Sequence, residues 1–409
     1  MTRTPIVLAL VAAVLIQLDS SASGTVTIRK AEFDREFLLQ TSYQLAGSRE
    51  DFSTSRSRIV TFERRGHALT MVETHRGTGL PDRVLADVPI RGETDRTLAV
   101  DFNAGFDRVF RQEDRTGEDY NGRSEDEDYS FIPLTDRRLL KVSRDGPMLV
   151  LEQHGIDGDG RPIVVHYYLR PYRHNRDFEP FEIENLDTFG FYETYPRRVS
   201  ARVVLYAMKF ASHKPIVFAL SADIPAVYRE AVRDGVRYWN KALEKPLLRV
   251  IDAPTGVTAP SHEYNVIQWV PEADRGSTSH IQSDPLTGEI LHASIFLRAQ
   301  ESDEGDLDQR NDRWRSVVAH EVGHALGLRH NFAQGPATTV MNYFPYRETV
   351  RIGNDVIESG RDALEYDRKV IRYVYLGEPL DLETLPAFCT DHQAGCAPFS
   401  ALSAGQSVR

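Results

Sequence analysis

Cysteine is nearly absent from this chain, whose 409 residues hold only Cys389 and Cys396. One disulfide is therefore the most that covalent cross-linking can contribute, and the fold must rest on packed cores. Excess positive charge is missing as well. Lys and Arg number 49 against 60 Asp and Glu, a net charge of −11. An acidic balance argues against non-specific nucleic-acid binding, which depends on surplus Lys and Arg. Beyond the first 16 residues no apolar run approaches the length of a membrane span. The N-terminal half shows no internal repeat either.

The N-terminus, MTRTPIVLALVAAVLIQLDSSASG, carries one positive charge, Arg3, then an apolar run from Ile6 to Ile16, then small residues. This layout predicts a secretory signal peptide over 1–23, cleaved after Ala22 or Ser23, and an exported protein, periplasmic or extracellular. A buried N-terminal helix or a membrane anchor is the competing reading. The cysteine pair in FCTDHQAGCAPF then reads as a disulfide closing a small loop. A Cys/His zinc site using His392 would need four ligands, with Asp391 alone at hand as the fourth.

The length suits two domains. Residues 24–200 read as a β-rich domain, either a permanent accessory to the second half or a pro-region. IVTFERR (59–65), RTLAVDF (96–102), MLVLEQ (148–153) and IVVHYYL (163–169) are β-branched and aromatic runs, separated by turn clusters such as DGDGRP (157–162). The charge-dense stretch 111–129 reads as a solvated loop rather than a calcium loop.

From 201 to 409 the pattern turns to α/β. PIVFAL (215–220) predicts a strand, and 224–245 carries apolar residues at helical spacing with Pro225 in the first turn. Strands follow at 247–251, 264–270 and 289–298, with 276–283 as a candidate edge strand. An acidic loop at 301–308 precedes a helix over 313–328. The tail holds VMNYFPY (340–346) and a helix over 365–376. A structural calcium ion at 301–308 is the sharper reading of that loop, solvated charge the plainer one.

The chemistry concentrates in HEVGHALGLRHN, residues 320–331. His320 and His324 lie four apart, so a helix presents both on one face to a single metal ion. Gly327 lets the chain leave the helix sharply, and His330 can then return as a third ligand. Three protein ligands with a fourth position left to water is the pattern of catalytic zinc. Glu321, beside the first ligand, is placed to act as general base on a water. Glu348, a third ligand of another zinc-peptidase kind, lies in loop-like sequence and is less well placed than His330.

HEVGHALGLRH matches H-E-x-x-H-x-x-G-x-x-H and resembles the metzincin metallopeptidases. A closer resemblance is to bacterial secreted zinc-dependent metalloproteases with HExGHxLGLRHNF. It extends to Pro225–Arg229, Trp239-Asn240, Asn265–Val270 and Asp284–Ile290, and more weakly to 189–194 and the cysteine pair. The resemblance implies a mixed-sheet α/β (α+β) catalytic domain with an active-site helix and a Met-turn at Met341. It also implies one catalytic Zn2+ and an extended protein or peptide substrate on an edge strand. Tyr343, two residues after Met341, stands where some branches use a tyrosine to ligate zinc or stabilise an oxyanion. Residues 1–388 contain no cysteine, so a cysteine-switch propeptide is excluded. The expected activity is zinc endopeptidase. The alternatives are a catalytically silent binding protein on the same fold and a zinc hydrolase acting on cell-wall peptide cross-links.

Overall fold

The computed structural model describes residues 25–381 except 47–50, 77–80, 111–130, 146, 184–189, 195, 262, 272–275, 300–304, 334–338 and 343–362, together with 384, 385, 388 and 389. The expected signal peptide, the charge-dense loop, Tyr343, Glu348 and Cys396 lie outside the described residues, so the pairing of Cys389 with Cys396 does too. Among the described residues no helix is long and apolar enough to cross a membrane.

The N-terminal half contains β1 (Thr25–Arg29), β2 (Phe37–Leu45), β3 (Asp51–Arg65), β4 (Ala68–Glu73), β5 (Arg83–Glu93) and β6 (Thr97–Asp101). A short pair, β7 (Arg108–Phe110) and β8 (Phe131–Pro133), is followed by β9 (Thr135–Asp145), β10 (Met148–Ile156) and β11 (Pro162–Pro171). Nine of these strands form one antiparallel sheet in the order β1-β6-β5-β4-β3-β2-β11-β10-β9. Alternation builds its core. Ile163, Val165, Tyr167 and Leu169 of β11 point inward with Leu149 and Leu151 of β10. Two four-residue turns, α1 (Lys30–Phe33) and α2 (Phe102–Gly105), add Phe33 and Phe102 to the same core. Buried Gln153 accepts from the Tyr167 hydroxyl at 3.1 Å and donates to the Phe106 carbonyl at 3.1 Å, so its amide is paired at both ends.

Short strands follow: β12 (Phe181–Glu182), β13 (Arg197–Val199), β14 (Arg202–Val204) and β15 (Tyr206–Ala207). The second sheet then comprises β16 (Ile216–Leu220), β17 (Leu248–Asp252), β18 (Asn265–Val270), β19 (Thr278–Ser283) and β20 (Ile290–Arg298). Its order is β17-β16-β18-β20-β19, parallel throughout except for β19, which pairs antiparallel with β20 at the edge. Alternate residues of β16, β18 and β20, among them Phe218, Trp269 and Ile295, face three helices: α3 (Arg229–Leu243), α4 (Leu307–Ala325) and α5 (Glu365–Leu376). The motif Trp239-Asn240 has a structural use here. The Trp239 indole donates to the Ala319 carbonyl on α4 at 2.7 Å, and Asn240 both donates to and accepts from the Leu248 backbone at 2.8 Å.

Both helix starts differ from the spacing-based expectation. α3 begins at Arg229, not near Pro225, because 225–228 form a separate turn closed by the Tyr228 N–H on the Pro225 carbonyl at 2.9 Å, with the Tyr228 ring 5.8 and 6.0 Å from those of Trp269 and Trp314. α4 begins at Leu307, inside the expected acidic loop. Asp306 accepts from the Gln309 N–H at 2.9 Å and Gln309 returns the bond at 3.0 Å, a capping box that starts the helix two turns early. Asp306 therefore serves as a helix cap.

The second core also takes in Ile183 and Phe191, upstream of the boundary expected at 200/201. The two halves meet along one side of the second sheet. β3 lies against β19. Tyr172 donates to Asp284 at 3.0 Å, Asn175 to Glu289 at 2.7 Å, and Arg170 lies 3.2 Å from the His292 ring nitrogen.

Candidate metal centre

α4 runs beneath the second sheet and carries His320, Glu321 and His324 near its C-terminal end, where Ala325 is the last helical residue. Gly327 then takes φ +101°, a left-handed conformation that a side chain resists. A Cβ there would also lie 2.1 Å from the Met208 carbonyl oxygen, so glycine is required twice over. The turn brings His330 back against the helix. His324 Nε2 lies 3.0 Å from His320 Nε2 and 3.1 Å from His330 Nε2. Among the described residues this is the one cluster of three metal-capable side chains that converge.

Backbone carbonyls decide the tautomers. His320 Nδ1 lies 2.7 Å from the Val340 carbonyl and His324 Nδ1 2.8 Å from the Leu328 carbonyl. A carbonyl can only accept, so each Nδ1 carries the proton and each Nε2 presents a lone pair. Two such lone pairs 3.0 Å apart repel unless a cation lies between them. Tetrahedral zinc, with bonds of ~2.0–2.1 Å, would separate its nitrogens by about 3.4 Å, close to the spacing found. Burial, then the neighbouring His330 and His320, hold the His324 imidazole well below its ordinary pKa, in the neutral form that a metal requires. The donor set fits zinc.

Glu321 is buried on the same helix, one residue after the first ligand. Met341 is fully buried and lies beneath α4. A Cβ on Gly323 would stand 2.3 Å from its sulfur and 2.7 Å from the Trp239 ring, so the glycine of HEVGH is the gap that admits the methionine. Asn331, directly after the third ligand, donates its N–H to the Met341 carbonyl at 2.8 Å, tying the loop of His330 to the methionine turn. The adjoining Phe332 N–H bonds the Cys389 carbonyl at 2.6 Å, so Cys389, one member of the expected disulfide, sits close to the third ligand.

Three groups that hold this centre escaped the sequence. Asp367 on α5 is fully buried. It accepts from Thr339 Oγ1 at 2.6 Å, Tyr238 Oη at 2.6 Å and the Val340 N–H at 2.9 Å. Burial pushes its carboxyl up to about 6 against the pull of these donors. Since the Val340 carbonyl also accepts the hydrogen bond of His320 Nδ1–H, the chain Asp367–Val340–His320 links α5 to the first histidine. An acidic residue on the apolar stripe of Val370, Ile371 and Val374 was the available signal. Tyr192 places its hydroxyl 3.3 Å from His324 Nδ1, and Glu193 forms a buried ion pair with Arg329. Both lie in the 189–194 stretch of the weaker resemblance, which gave neither residue a role.

Comparison with known proteins gives one finding. No curated protein matches the chain. Residues 306–379, which span α4, the three histidines, Met341 and α5, match a family model described as Met-zincin, so this segment is similar to the metzincin-type zinc peptidases.

Proposed function

We propose that the protein is an exported zinc-dependent endopeptidase that cleaves extended polypeptides, with residues 320–343 as its catalytic centre. The observation that carries this reading is the convergence of three histidine Nε2 atoms on one point, two of them with their protons turned onto carbonyls, beside a buried glutamate. A zinc ion held by His320, His324 and His330 would supply Lewis acidity and make a water nucleophilic near neutral pH. Glu321 takes the proton of the attacking water and returns it to the leaving amine. Tyr343 donates a hydrogen bond to the oxyanion. β19, at the edge of its sheet, offers main-chain N–H and C=O groups to an extended substrate. The N-terminal sheet, whose β3 packs against β19, stays attached as an accessory domain. Residues 1–23 direct export, and Cys389 pairs with Cys396.

The test assays bound zinc in the parent and in Glu321→Ala, then offers both an unstructured protein such as casein. About one zinc in each, with cleavage by the parent alone, supports the proposal. Absence of zinc from both refutes it. Zinc in both without cleavage leaves a metal site that is no peptidase for such substrates, which favours the silent binding protein.

A further inference from the structure

The family match begins at residue 306, yet the loop that delivers the third histidine is held by a strand more than a hundred residues earlier. Phe191 forms an antiparallel bridge with Leu328. Hydrogen bonds flank it on both sides, from Tyr192 N–H to the Gly327 carbonyl at 2.7 Å and from Arg329 N–H to the Gly190 carbonyl at 2.9 Å. Residues 327–329, which lead from the helix C-cap at Leu326 to His330, are thus paired to 190–192. That strand is itself paired to the next, Met208 N–H to the Tyr192 carbonyl at 2.7 Å and Thr194 N–H to the Tyr206 carbonyl at 2.9 Å. It is this second strand whose Met208 carbonyl presses on Gly327.

Side chains complete the clamp. The Arg329 guanidinium pairs with the Glu193 carboxylate, the two side chains only 8% and 4% exposed. It also lies 5.8 Å from the centre of the Tyr192 ring, whose hydroxyl reaches His324 Nδ1. A buried ion pair adds little net stability compared with an apolar pair of the same size, but it tolerates few arrangements. Here it joins the residue immediately before the third ligand to a strand that also touches the second. The consequence is geometric, because the direction of residues 327–329 sets where His330 Nε2 meets the other two.

We infer that Glu193 is a positioning residue for the metal centre, fixing His330 through the buried Glu193–Arg329 pair, so that the centre is built by residues 190–208 together with 320–341. This rests on the zinc reading above. It makes the segment before residue 201 part of the catalytic unit.

The experiment uses the full chain, stripped of metal and reloaded, as parent, Glu193→Gln and Glu193→Asp. Zinc Kd is measured by competition with a chromophoric chelator, the visible spectrum is taken with Co(II) in place of zinc, and the metal-free melting temperature is recorded. Glu193→Gln is expected to raise the zinc Kd by roughly 10–100-fold and to alter the Co(II) bands, as loss of a residue that orients a ligand does. Glu193→Asp keeps the charge with a shorter reach and should fall between, about threefold or more above the parent. A lower metal-free melting temperature with parental Kd and spectrum would mean a structural pair only and overturns the inference. If Glu193→Gln fails to fold, Glu193→Asp decides by the same readings. A parent that binds neither zinc nor cobalt overturns the proposed function first, and this inference with it.

Discussion

Replacing Asp367 by asparagine separates two effects that the structure sets against each other. The carboxylate receives three donors, Thr339 Oγ1, Tyr238 Oη and the Val340 N–H, at 2.6 to 2.9 Å. An asparagine of the same shape has one carbonyl oxygen, so one of these buried donors loses its acceptor, at about 1–3 kcal/mol. The variant carries that loss at every pH, and only the parent titrates at this position. Against it stands the burial of a charge, which pushes the carboxyl from 3.8 up to about 6. At about 1.4 kcal/mol per pH unit, a fully ionised Asp367 costs the folded state on the order of 3 kcal/mol. Because the folded carboxyl binds its proton more tightly than the unfolded one, its contribution is fully present below pH 4 and is lost as pH rises through 6. The parent should therefore exceed Asp367→Asn in stability most clearly near pH 4. The advantage should shrink by up to ~3 kcal/mol towards pH 6 and stay level above it. All three tryptophans, Trp239, Trp269 and Trp314, lie in the second core, so urea unfolding of the metal-free chain followed by their fluorescence reports this half alone. A difference that is flat across the range, or that grows with pH, would refute the reasoning.

Two further predictions follow from local geometry. Gly323→Ala drives a methyl group against the Met341 sulfur and the Trp239 ring, both fully buried, and should cost about 1–3 kcal/mol with weaker zinc retention. A variant that melts with the parent and holds zinc as tightly would show that the methionine turn does not rest on that glycine. His280 on β19 has its imidazole pushed down to about 4, by burial first and by the nearby Arg298 second. Its folded form binds protons less readily, so its contribution is present above pH 6.5 and is lost as pH falls through 4. His280 retains partial exposure, which makes ~3 kcal/mol an upper bound. His280→Gln should flatten the acid side of the stability profile, and an unchanged acid limb by tryptophan fluorescence would exclude it.

The metal triad was legible in the sequence because its geometry is local. Positions 320 and 324 share a helix face whatever surrounds them, and the glycine at 327 announces a chain reversal within three residues. Strand alternation in residues such as Ile163, Val165 and Tyr167 was legible for the same reason, since a period of two needs only neighbours. The edge strand at β19 could be expected from its turn at Asp284–Gly288. The early start of α4 was written in Asp306 and Gln309, a local signal obscured by the surrounding acidic charge.

What supports the triad was decided by tertiary structure alone. Tyr192 reaches His324 across 132 positions, Arg329 reaches Glu193 across 136, and Tyr238 meets Asp367 across 129. Periodicity records which side of an element is buried but not which distant element buries it, so these partners leave no local trace. The sequence by itself determined which side chains could bind a metal and on which elements they ride. Only the folded chain decided how those side chains are aimed, because a hydrogen bond or buried ion pair acts over a few ångströms of space between residues the chain holds far apart in order.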